Sequence, residues 1–148
     1  VGISWRSDST INKHKNLSLE EFILGIYSPK ICFVNLQYGD VIDEINNLKK
    51  KHGIEIFIMD EIDYFNDIDD LAALTNACDL VVSIEIMTFA LSGAIGIDSN
   101  ILLTRNCGFY NGNKESKSYW FPSQEFFRQT ITGDWTKELN KIKEKIST

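Results

Sequence analysis

The stretch 67–96, DIDDLAALTNACDLVVSIEIMTFALSGAIG, constrains this chain most, because it reads as helix, strand, tight turn and second helix without interruption. Asp67 is placed to cap a helix in which Ile68, Leu71, Ala72, Thr75 and Cys78 recur at helical spacing, with Asp70 adding negative charge to its first turn. The run 80–84 is apolar almost throughout and β-branched at Val81, Val82 and Ile84, as expected of a strand covered on both faces of a parallel sheet. A helix beginning near Thr88 and stopping at Gly96 would then aim its unsatisfied N–H groups along the carboxyl edge of that sheet. That edge is where α/β proteins place their ligands.

The rest of the chain repeats the same alternation. Strands are expected at 1–5, 30–36, 54–59 and 100–104, and helices from Ser18, whose hydroxyl with Glu21 makes a capping box, and through Val41, Ile45 and Leu48 to Gly53. Residues 126–130 read as a short extended stretch, and a last helix starts at Trp135 with Leu139, Ile142 and Ile146 on one face. Five strand–helix alternations predict an α/β fold with a doubly wound, mostly parallel sheet, a Rossmann-like three-layer α/β/α arrangement over residues 1–148 as a single domain. The chain starts at Val1 within strand-like sequence, so we expect a piece excised from a longer protein.

Composition excludes several classes. With 43% hydrophobic residues, two prolines and no long apolar run, a globular cytoplasmic domain without a membrane span or signal peptide is expected. A net charge of −6 argues against nonspecific nucleic-acid binding. Cys32, Cys78 and Cys107 are odd in number and lack CxxC spacing, and His14 and His52 stand apart, so buried free thiols and no metal site are expected. No catalytic residue and no cofactor is assigned: GxGxxG, GxxxxGK[ST] and GxSxG are all missing.

What remains is a set of polar residues at the expected strand ends. Arg6, within the basic cluster Arg6, Lys13, His14 and Lys15, is suited either to a diphosphate or to solvent, and the same holds for Lys15. Ser4 closes the first strand, and Gln37 follows a buried one, where a polar side chain reads as more functional than structural. Glu85 can accept a hydrogen bond from a ligand hydroxyl or from nearby backbone N–H groups, and Thr88 is read first as an N-cap and second as a phosphate contact. The acidic loop with Asp60, Glu61 and Asp63 is read as solvated rather than as an ion site, and the three tryptophans as core or rim packing. The segment 106–118, polar and glycine-containing, is a candidate lid or simply a mobile loop.

Taken in order, GISWRS at 2–7, KNLSLEEF at 15–22, FVNLQYGDV at 33–41, DIDDLAALTNACDLVVS at 67–83, and WFPS, FFRQT and GDW between Trp120 and Trp135 resemble the carboxyl-terminal half of bacterial glycosyltransferases. The relatives meant are heptosyltransferase-like enzymes of the GT-B class, often fused behind tetratricopeptide repeats. The resemblance implies a donor-binding domain for a nucleotide sugar, facing an amino-terminal acceptor domain that supplies the general base. It further implies Arg6 and Lys15 for phosphate, Gln37 for the nucleoside side, and Glu85, Met87 and Thr88 for phosphate and sugar. Where relatives read roughly aspartate, asparagine, serine or threonine, threonine, any residue, histidine, this chain has EIMTFA at 85–90.

Three hypotheses follow. The first is the donor-binding half of a metal-independent, inverting glycosyltransferase, inactive in transfer without its acceptor domain. The second, motivated by Ile86, Met87 and Ala90, is a degenerate domain of the same fold serving as an interaction module, with an exposed apolar patch near those residues. The third, a phosphoacceptor pocket about Asp60, ranks last.

Overall fold

The computed structural model describes residues 1–10, 13–112 and 116–147. Six strands form one sheet: β1 (Gly2–Ser4), β2 (Phe33–Asn35), β3 (Ile56–Phe57), β4 (Val81–Ile84), β5 (Ser99–Leu103) and β6 (Gln124–Arg128). Five helices connect and cover them: α1 (Leu19–Ile26), α2 (Ile42–His52), α3 (Ile68–Asn76), α4 (Met87–Ile95) and α5 (Thr136–Ile146). The order is β3-β2-β1-β4-β5-β6, and every pairing is parallel. This is a Rossmann-like α/β fold, with the strand order reversing between β1 and β4.

Strand alternation divides the core between two layers. Ile3, Val82, Ile84, Leu102 and Phe127 pack into a cluster with residues of α1, α2 and α5, including Phe22, Ile45 and Leu139. The intervening Val81 packs with Leu36 and Leu71, while Ile101, Leu103 and Phe126 pack with Phe89 of α4. Trp5 and Trp135 are fully buried, whereas Trp120 is exposed. The central strands are apolar on both faces because both are covered.

The local signals act much as the sequence implies. Ser18 Oγ accepts from the Glu21 N–H at the start of α1, and Asp67 Oδ1 accepts from the Asp70 N–H at the start of α3. Gly53 and Gly96 end α2 and α4 in the left-handed region, at φ 69° and 79°, which a residue with a Cβ adopts only at a cost.

Three expectations are corrected. The extended stretch near 126–130 is a sixth strand, beginning two residues earlier and paired with β5 over its whole length. Thr88 is not the N-cap of α4: that position is Ile86, and Thr88 is a buried residue of the first turn. Cys32 is exposed rather than buried, since β2 starts only at Phe33; all three cysteines are free. No described helix is long and apolar enough to cross a membrane, and no described His, Cys, Asp and Glu side chains cluster as metal ligands.

Candidate functional site at the carboxyl edge

The crevice where strand order reverses is built first from Gln37. This side chain is fully buried just beyond β2, and its Oε1 accepts from Ser4 Oγ at 3.1 Å and from the Trp5 and Arg6 N–H groups, each at 3.0 Å. Its Nε2 donates to the Tyr38 carbonyl. β1 ends here, so the backbone N–H groups beyond it would be orphaned without that amide. Gln37 and Ser4 therefore tie the end of β1 to the end of β2.

Arg6 is clamped at the rim. Its Nε donates to Glu44 Oε1 and its Nη1 to Asp8 Oδ1, both at 3.0 Å, while Nη2 donates to the Asp40 carbonyl. Glu44 Oε2 also accepts from Trp5 Nε1. Two carboxylates thus offset the Arg6 charge before any ligand arrives. The segment from Ser7 is pinned in turn by Asn16, which exchanges two hydrogen bonds with the Ser7 backbone, and by Tyr38 Oη, which accepts from the Asp8 N–H.

Lys15 has a different setting. It lies in a short 3-10 turn, Lys13–Lys15, and its Nζ donates to the Glu85 carbonyl oxygen at 3.1 Å. That carbonyl stands directly before α4, whose N-cap, Ile86, has no side-chain oxygen to close the first turn. An ammonium group and the positive end of a helix therefore meet at one point, across the β1 and β4 strand ends. Met87 is exposed and Thr88 buried in that turn.

Glu85 points toward the loop after β5. Its Oε1 accepts from the Gly108 N–H at 3.1 Å and from Asn111 Nδ2 at 2.6 Å, and the nearby Glu85 charge, together with burial, pushes the Tyr110 hydroxyl pKa up, burial being the larger cause. Of the loop 106–118, residues 113–115 lie outside the described residues. The part before them is held down by Glu85 and is not loose there. In the sequence Gly108 and Asn111 read only as turn signals, in Cys107-Gly108 and Asn111-Gly112, and Tyr110 carries no signal beyond the polar, glycine-containing character of the loop.

Asp60 and Glu61 are exposed beyond β3, an edge strand, and Asp63 closes a turn, accepting from the Phe65 and Asn66 N–H groups and from Asn66 Nδ2. These donors hold the Asp63 carboxyl below the usual aspartate range. Of the seven expected binding residues, Ser4, Gln37, Arg6, Lys15 and Glu85 all have partners within the protein, Lys15 through the backbone carbonyl that precedes α4, whose first turn carries Met87 and Thr88.

The fold is that of a Rossmann-like α/β protein, with Lys15 beside the start of α4 at the carboxyl edge of the sheet. No protein-family model matches the chain, and no solved structure matches it. It is similar to a curated bacterial protein, Protein FlbA of Caulobacter vibrioides (strain ATCC 19089 / CIP 103742 / CB 15), at 33% identity over 147 residues. That similarity takes in 96% of this chain but 24% of FlbA, so the chain spans about a quarter of that relative's length.

Proposed function

We propose that this chain is the donor-binding half of a glycosyltransferase, holding the diphosphate of a nucleotide sugar at the carboxyl edge of the sheet. One observation carries the reading: Lys15 Nζ lies 3.1 Å from the carbonyl that precedes the uncapped first turn of α4. A diphosphate there would meet an ammonium and backbone N–H donors together, which needs no metal ion. Backbone donors survive the apolar residues Ile86 and Met87, because only proline removes an N–H. In a transfer reaction the same groups would stabilise the leaving nucleoside diphosphate as its charge develops. Activation of the acceptor would fall to an amino-terminal acceptor domain, as in the glycosyltransferases the sequence resembles.

A second reading is favoured by a separate observation. The Glu85 carboxylate is occupied by Gly108 and Asn111, and Met87 is exposed beside it, with Phe109 and Tyr110 also exposed on the loop that Glu85 holds. On this reading the domain keeps the fold but serves as an interaction module. Thermal unfolding in the presence of UDP, ADP and GDP separates the two. A ligand at one hundred times its Kd stabilises the folded state by about 2.7 kcal/mol. Donor binding predicts a concentration-dependent rise in Tm with at least one nucleotide, lost in Lys15→Ala. A flat response to all three up to millimolar concentration contradicts it and favours the interaction module.

A further inference from the structure

Glu85 reaches in two directions at the carboxyl edge. Its carbonyl oxygen accepts from Lys15 Nζ beside the first turn of α4, while its carboxylate Oε1 accepts from the Gly108 N–H and from Asn111 Nδ2. The place offered to a diphosphate and the 3-10 turn Phe109–Asn111 after β5 are therefore separated by the span of one side chain. Gly108 permits that approach: a Cβ there would stand 3.0 Å from Glu85 Oε1 and 2.5 Å from Tyr110 Cε1.

This turn presents aromatic rings to solvent. Phe109 is 93% exposed and Tyr110 43%, and the two rings meet edge to face with centroids 5.8 Å apart, which leaves a ring face open. Met87, on the first turn of α4, is exposed as well. Large apolar side chains gathered beside a polar edge mark a ligand-binding or interaction surface. The acceptor next to them narrows the chemistry of the occupant. A carboxylate has about four acceptor sites, and among the described residues the Glu85 carboxylate receives the Gly108 N–H, Asn111 Nδ2 and the Tyr110 hydroxyl. Capacity remains for a further hydroxyl. An aromatic face beside such an acceptor suits a sugar ring, which shows C–H bonds on its face and hydroxyls around its rim. Connectivity points the same way: a glycosyl group is bonded directly to the outer phosphate, whereas a nucleobase stands a whole ribose beyond the inner one.

We infer that Glu85 and the turn 108–111 form the glycosyl subsite of the donor, with the sugar ring lying on Phe109 and one of its hydroxyls donating to the Glu85 carboxylate. The inference rests on the donor reading and assigns residues to the part of the donor that Lys15 and α4 do not hold. The test is isothermal titration calorimetry of the chain with UDP, ADP and GDP and with UDP-N-acetylglucosamine, ADP-glucose and GDP-mannose. Phe109→Ala should weaken a nucleotide sugar about five-fold or more beyond any effect on the matching nucleoside diphosphate, and Phe109→Tyr should restore the parental affinity. Phe109 is almost wholly exposed, so Phe109→Ala keeps the fold, and an unchanged Tm verifies it. Equal effects on nucleotide sugar and nucleoside diphosphate, or no effect on either, overturn the glycosyl subsite and leave the donor reading standing. Absence of binding by the parent chain to any of these ligands overturns the donor reading and this inference with it.

Discussion

Gln37 is legible in the sequence as a residue under constraint, and the structure gives it an internal role. A polar side chain straight after a buried strand signals a constraint, and the constraint is internal: one amide oxygen takes the Ser4 hydroxyl and the Trp5 and Arg6 N–H groups. Gln37→Leu should cost about 1–3 kcal/mol of unfolding free energy, since it leaves buried donors unsatisfied. Urea denaturation measures this directly, and a change within 0.5 kcal/mol, roughly that of a neutral surface substitution, would contradict the assignment. Arg6 is equally ambiguous in the sequence, because two of its three partners, Glu44 and Asp40, lie at separations of 38 and 34, although Asp8 is only 2 positions away. No spacing rule links residues so distant. Glu85 was anticipated as an acceptor for nearby N–H groups or for a ligand, and its protein partners are those of Gly108 and Asn111. Glu85→Ala should accelerate amide hydrogen exchange at Gly108 and Asn111 while leaving β4 protected; unchanged exchange in the loop would show that Glu85 does not hold it.

At the scale of elements, the unit at 67–96 was readable because capping, periodicity and glycine termination agree there. Asp67 and Gly96 perform the roles their positions imply. The start of α4 is not legible in the sequence because its N-cap, Ile86, is a poor capping residue, whereas Thr88 two positions on is a good one. β6 was partly legible: Phe126 and Phe127 face opposite layers, but Gln124 and Glu125 before them carry no apolar pattern. Gln124 is nevertheless buried, with Nε2 donating to the Phe89 carbonyl. The contact of α4 with that region is close. A Cβ on Gly93 would stand 2.4 Å from Phe121 Cγ and 2.8 Å from Gln124 Nε2. Gly93→Ala should therefore destabilise by about 1–3 kcal/mol through overpacking, despite the better helix propensity of alanine. A calorimetric Tm equal to or above that of the parent would show that α4 is not packed as described.

For the molecule as a whole, the parallel, doubly wound sheet follows from the alternation of elements, whereas its strand order and the chemistry at its edge do not, because the latter depends on which side chains long-range packing leaves unengaged. Surface electrostatics give a testable pH dependence. Glu20 accepts from Lys51 Nζ, with His52 beside it, and these contacts hold its carboxyl below the usual glutamate range, the Lys51 hydrogen bond being the larger cause. Lys49 does the same for Glu55, and the Thr136 N–H for Asp134. A carboxylate whose pKa is depressed on folding contributes stability above its unfolded pKa, and that contribution is lost as pH falls through the folded pKa. Tm should therefore be nearly flat from pH 7 down to about 5 and fall on further acidification toward about 3. Glu20→Gln should make that fall shallower. A steeper acid limb in the variant would contradict the linkage between α1 and α2.

The central claim is that an anion binds where Lys15 meets the start of α4. Backbone amide shifts of the chain during titration with UDP, ADP and GDP test it most directly. The account predicts saturable perturbation of the Met87 and Thr88 N–H signals by at least one nucleotide, abolished in Lys15→Ala. Saturable shifts confined to other surfaces, or none at millimolar nucleotide, would contradict it.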